Sequence, residues 1–169
     1  RALFEMFHAR SAARGEMVQA ITGIDYYYRQ FGYEYALDLG GRRTFAVDGV
    51  PPLPDGGVEP YTLRPAAVDD VPHIQVLYAR LCRKSLVYAE ATAAAWRYYI
   101  TSWDEPVVRS QAPERSGLAY RMHMVVDQAG HVCGFASTAS RRRTNKYDIF
   151  DLELYQGVNW QAAMPSLMR

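Results

Sequence analysis

The stretch ITGIDYYYRQFGYEYALDL, residues 21–39, decides how the rest of the chain is read. Ile21 and its predecessors Met17-Val18-Gln19-Ala20 suit a short apolar strand. Tyr26-Tyr27-Tyr28 opens one or two helical turns, and Gly32 falls where such a turn needs a left-handed C-terminal residue. Tyr33-Glu34-Tyr35-Ala36-Leu37 then alternates as a half-buried strand does, and that strand is expected to run to Leu39. The pattern predicts a strand–helix–strand unit.

Upstream, Leu3, Phe4 and Phe7 form an apolar stripe, so Ala2–Arg14 is expected to be helical and to stop at Gly15. Downstream, Gly40-Gly41 is a two-residue hairpin turn into a second short strand, Arg42–Val47. Asp48–Pro60, DGVPPLPDGGVEP, has the composition of a linker. Fully extended it reaches roughly 40 Å, enough to cross a small domain.

Tyr61–Pro65 starts a new run as a strand. Val68-Asp69-Asp70 supplies an N-cap and acidic first-turn residues, and Val71, Ile74, Leu77, Tyr78 and Leu81 share one helical face. Trp96, Tyr99, Ile100 and Trp103 mark a second helix, and Asp104–Ala119 reads as a polar loop. Arg121–Asp127 and His131–Ala139 are strands joined by Gln128-Ala129-Gly130. After the basic loop Arg141–Lys146 comes a strand, Asp148–Tyr155, with Phe150, Leu152 and Leu154 on one face and Asp151 and Glu153 on the other. Trp160, Ala163, Met164 and Leu167 give the tail Asn159–Arg169 a helical period, interrupted by Pro165.

Composition bounds the function classes. The chain has 169 residues, 49% apolar and 22% charged, which supports an ordinary folded core. A net charge of +1 offers no electrostatic case for nucleic acid or an anionic membrane. Arg141-Arg142-Arg143 is therefore read as a solvated loop. No apolar run is long enough to span a bilayer, no signal peptide is visible, and a cytoplasmic location is expected. Cys82 and Cys133 give no disulfide framework, and His8, His73, His123 and His131 have no metal-ligand spacing.

The run Tyr28-Arg29-Gln30-Phe31-Gly32-Tyr33 resembles the "fYxxxGF/Y" signature near the end of GNAT-superfamily N-acetyltransferases. YTLRPAAVDDVPHIQVLY resembles that family's opening strand and helix, MVVDQAGHVCGFAS its second-to-third strand hairpin, and DLELY its fourth strand. The resemblance implies an α/β (α+β) fold with a mixed, largely antiparallel sheet flanked by helices. Here the halves stand in permuted order. Residues 1–47 resemble the C-terminal half of a first repeat, 48–60 a linker, and 61–169 the N-terminal half of a second. A circular permutation and a fragment of a tandem two-copy protein both give this order. Arg1 without Met, and a last residue inside a helical pattern, favour the fragment.

Acetyl transfer from a thioester to an amine makes three demands. The amine loses a proton, the oxyanion meets a donor, and the leaving thiolate gains a proton. The resemblance implies Tyr28 as the general acid, against the plainer reading of one more ring in a Tyr-rich turn. It implies Glu153 as the base, with Asp151 on the same face as the alternative and a solvated strand carboxylate as the plainer reading. It implies acetyl-CoA as co-substrate, no metal, and a small-molecule or peptide amine as acceptor. The family's pyrophosphate loop, "Q/RxxGxG/A", uses free N–H groups at a helix start. Its place is before Ala2, with Arg1 as its last residue, so Arg1 and Ala2 are the cofactor-binding candidates. In the second copy the matching stretch, Gln156-Gly157-Val158-Asn159-Trp160, has one Gly and departs from the pattern. The resemblance also puts the acyl chain between Asp148–Tyr155 and Met17–Ile24. The sheet is completed within one molecule or, alternatively, by a homodimer that exchanges a strand or half-domain, since each half exposes a strand edge. A non-catalytic GNAT-like lobe for dimerisation or substrate shaping is the rival function.

Overall fold

The computed structural model describes residues 1–37, 41–106, 120–140 and 145–169. Asp38 and Leu39 of the expected second strand, Gly40 of the hairpin, most of the Asp104–Ala119 loop and Arg141-Arg142-Arg143 lie outside the described residues. The chain divides into two compact units, Arg1–Gly41 and Arg42–Arg169.

The first unit holds helix α1, Ala2–Ala13, which ends at Gly15 with φ +69°. A 3₁₀ turn, Tyr27–Phe31, follows and stops at Gly32, whose φ of +87° is the left-handed cap that its position predicts. Two strand expectations are corrected here. Met17–Ile21 and Tyr33–Leu37 form no ladder. A strand persists only where a neighbour takes its N–H and C=O groups, and these residues have other partners. The Tyr33 hydroxyl donates to Gln19 Oε1 at 2.8 Å, and the Tyr35 hydroxyl accepts from the Tyr26 N–H at 3.0 Å. The rings gather round Phe4, which stacks on Phe31 at 4.0 Å.

The second unit is α+β. Its strands are β1 (Arg43–Ala46), β2 (Tyr61–Pro65), β3 (Tyr120–Asp127), β4 (Val132–Ala139) and β5 (Lys146–Leu154). They form one five-stranded sheet in the order β1-β5-β4-β3-β2, with every ladder antiparallel. The expected mixed pairing is not found among the described residues. β1 and β2 occupy opposite edges, so the Pro-rich segment between them spans four strand spacings, roughly 19 Å. Arg169 fixes that segment by donating to the Pro51 carbonyl at 3.0 Å and to the Glu59 carboxylate. β1 belongs with the second unit because its ladder partner is β5.

Helices α2 (Val71–Cys82) and α3 (Ala93–Thr101) cover one face of the sheet. Val71, Ile74 and Leu77 of α2 and Trp96 of α3 meet Met122, Met124 and Phe135 in a core that excludes water. Pro65 closes β2, and Asp70 then organises the start of α2. Its carboxylate accepts from the Ala67 N–H at 2.7 Å and from both Arg64 nitrogens at 2.7 Å. The Thr92 hydroxyl caps α3. Helix α4 (Trp160–Met168, the predicted tail helix) covers the other face, where Ala163 and Leu167 pack on Val125 and Leu154. The β3–β4 turn is held by Asp127 Oδ1, which accepts from Ala129 and His131, and by Gly130 at φ +85°.

One residue departs from the strand alternation. Ser137 pairs with Asp151 but Thr138 pairs with Ile149, so Phe150 is the extra residue of a β-bulge. Leu152 and Leu154 face α4 as expected. The bulge turns Phe150 away from them, and its ring lies 5.6 Å from that of Tyr120, which packs against the core that α2 and α3 cover.

Candidate functional site

β5 carries the chemistry of the second unit, and α2 lies over it. Glu153 stands opposite Phe135 in the β4–β5 ladder and is 1% exposed. A carboxylate so far from water needs opposite charge. Helix α2 supplies it from one turn and the next. Arg80 Nη2 lies 3.6 Å from Glu153 Oε1, and Lys84 Nζ donates to Glu153 Oε2. Lys84 follows the last turn of α2, tied by its N–H to the Leu81 carbonyl at 3.0 Å. A cation is favoured there by the helix dipole. Two residues on from Glu153, just past the end of β5, the Tyr155 hydroxyl meets His73 Nδ1 at 2.8 Å. α2 therefore turns an apolar stripe to the core, and with the turn after it a polar stripe, His73, Arg80 and Lys84, to the end of β5.

The outer edge of β5 changes character at the bulge. β1 pairs with Lys146 to Ile149 and no further. Beyond it, among the described residues, the strand has a ladder partner on the β4 side alone.

Asp151 shares the Glu153 face. The Ser137 hydroxyl, fully buried, donates to Asp151 Oδ2 at 2.6 Å and accepts from the Asp151 N–H at 2.9 Å. Asp151 also acts on two half-buried phenols. Burial first, then Cys82 beside it, pushes the Tyr78 hydroxyl up to about 12. Burial and Tyr99 push Tyr120 up further. Both phenols stay protonated at neutral pH, and the Tyr78 hydroxyl donates to the Ala89 carbonyl at 2.9 Å. On the other face burial holds His123 below its ordinary range, so it is neutral at pH 7. Burial raises Cys133, and both cysteines are free thiols.

The expected site residues fall in different units. Arg1, Ala2 and Tyr28 belong to the first and Glu153 and Asp151 to the second. Tyr28 is half-buried, with Tyr27 5.2 Å away and Phe4 6.0 Å away. Arg1 is the N-cap residue of α1 and pairs through Nε with Glu5 at 3.5 Å; Ala2 begins the helix. Met17–Ile24, expected to flank the acyl chain as a strand, is not one. Sequence reasoning placed Tyr78 on the apolar face of α2 but named none of Arg80, Lys84, Ser137 and Tyr120. The four-residue spacing of Arg80 and Lys84 was a visible signal for two cations on one helical face.

The stretch before α4 has little to offer a pyrophosphate. Gly157 has φ +91°, but the Asn159 carboxamide oxygen already accepts from the Gln161 and Ala162 N–H groups at 2.9 and 3.3 Å. The first-turn donors that would bind an anion are engaged, and no cation stands in Gln156–Trp160. These residues do not fit the cofactor. Among the described residues no group of three or more His, Cys, Asp or Glu is placed to hold a metal ion, and no helix is long and apolar enough to cross a membrane. Comparisons with protein-family models, with curated proteins and with solved structures found no match to this chain.

Proposed function

We propose that this chain acts in the transfer of an acetyl group from acetyl-CoA to an amine, with Arg42–Arg169 as the lobe that faces the amine. Glu153 carries the reading: a carboxylate 1% exposed, on a strand whose outer edge beyond Ile149 has no ladder partner among the described residues, already set against cations. Such a carboxylate binds an ammonium group and then accepts its proton. The order β2-α2-α3-β3-β4-β5-α4 supports the GNAT-like assignment. Tyr28 supplies the proton to the leaving thiolate on the strength of the motif it stands in. No step is assigned to Gln156–Trp160, and the cofactor-holding role stays with Arg1 and Ala2.

The rival reading, a non-catalytic lobe for dimerisation or substrate shaping, is favoured by the Asn159 cap that closes the start of α4. Incubating the full chain with acetyl-CoA and a panel of primary amines, with product detection by mass spectrometry, separates the two. The proposal expects acetylated amine, and a loss of roughly a hundredfold in Glu153→Gln and in Tyr28→Phe, the latter with acetyl-CoA affinity kept. No product with any amine, together with no effect of acetyl-CoA on thermal unfolding, would leave the non-catalytic lobe.

A further inference from the structure

Resting on the reading of Glu153 as an amine-facing carboxylate, we propose that Lys84 is a built-in occupant of an ammonium site. Its Nζ holds the place against Glu153 that the ammonium of a primary amine ligand takes, and Lys84 must swing out to admit that ligand.

Three observations carry this. First, the two partners differ in access. The Glu153 side chain is 2% exposed and that of Lys84 59%, so the lysine reaches in from solvent to a carboxylate that is otherwise covered. Second, the charge is divided between the two oxygens. Arg80, 30% exposed, stays at Oε1, while Lys84 serves Oε2. Removing Lys84 leaves Oε1 compensated by Arg80 and Oε2 without its cation. Third, the segment after Lys84 is loosely held. Leu86 is fully exposed, Val87 and Tyr88 are 61% and 54% exposed, and the Tyr78–Ala89 hydrogen bond is its fixed point. Moving it uncovers little buried apolar surface, which is the condition for local opening.

The chemistry selects the ligand class. A compact ammonium with N–H donors replaces Lys84 one for one. A quaternary ammonium carries the charge without the donors and satisfies Oε2 less well.

The test uses the full chain with Lys84→Ala, or Lys84→Met if the first variant folds poorly. Thermal unfolding is followed with ethylammonium chloride, tetramethylammonium chloride and sodium chloride at equal concentration. The site predicts that ethylammonium alone raises the midpoint of the variant, by about 3–6 °C when it exceeds its dissociation constant roughly tenfold. The wild type should respond less than the variant, because Lys84 competes for the same oxygen, and Lys84→Ala/Glu153→Gln should not respond. Equal shifts with ethylammonium and tetramethylammonium, or a shift that survives in the double variant, would overturn the proposal. The wild type gives a second readout, because the chain has two lysines, Lys84 and Lys146. Amine-reactive labelling should modify the exposed Lys146 at least about tenfold faster than the engaged Lys84. Equal rates would contradict an engaged Lys84. An ethylammonium shift without any acetyl transfer removes the enzymatic reading and keeps the site.

Discussion

The two units differ in what their aromatic and apolar residues achieve. In Arg1–Gly41, Ser11 alone among the described residues is buried, while Met17, Val18, Ile24 and Leu37 are exposed. In Arg42–Arg169, Ile74, Leu77, Met124, Val125 and Phe135 are wholly buried. Both regions show strand-like alternation in sequence. Among the described residues it becomes a ladder only in the second, where each strand hydrogen-bonds to a sheet neighbour and helices cover both faces. Alternation is therefore permission for a strand, and a neighbour is the requirement.

Substitutions sharpen this contrast. The largest effect is expected for Phe135→Ala, which removes a ring from the centre of the core and should cost about 3–5 kcal/mol in denaturant unfolding of the full chain. Gly134→Ala should cost about 3 kcal/mol. Its Cβ would lie 2.6 Å from the Glu153 carbonyl oxygen and 2.5 Å from Leu154 Cδ2, and the backbone contact cannot relax without shifting the β4–β5 ladder. It is a test of the site as well, because the strand displaced carries Glu153.

Asp70→Asn should cost roughly 2 kcal/mol, since it weakens the paired Arg64 contacts and the Ala67 bond at the start of α2. Its pH dependence has a definite sign. The Arg64 guanidinium holds the Asp70 carboxyl below its ordinary value, so the stabilisation is complete above about pH 4 and is lost as the pH falls through the lowered value. Wild type and Asp70→Asn should converge in stability towards low pH. The smallest effect is expected in the first unit. Phe4→Ala breaks the stack on Phe31 and should cost about 1 kcal/mol, read from near-ultraviolet dichroism, with the unfolding of the second unit unchanged. A cost equal to that of Phe135→Ala would erase the distinction between the units.

The sequence was most legible where local pattern and global fold agree. The stripe Val71, Ile74, Leu77 gave α2 its buried face, and QAG between two apolar runs gave the β3–β4 turn. Glu153 could be placed on a strand face from its neighbours alone. Its partnership with Lys84 could not, because that contact joins residues 69 apart and depends on where α2 crosses the sheet. Phe150 was misassigned because a bulge has no compositional mark here. Arg43–Ala46 was readable as a strand, but nothing local names β5 as its partner. Met17–Ile21 failed for the complementary reason, an apolar run with no ladder to join.

Hydrogen exchange of the full chain, resolved by peptide, tests the contrast most directly. The account predicts slow exchange across β3, β4 and β5 and fast exchange through Met17–Ile24 and Tyr33–Leu37, since unpaired backbone opens at little cost. Protection of Met17–Ile24 comparable to that of β5 would contradict it and restore a strand to that segment.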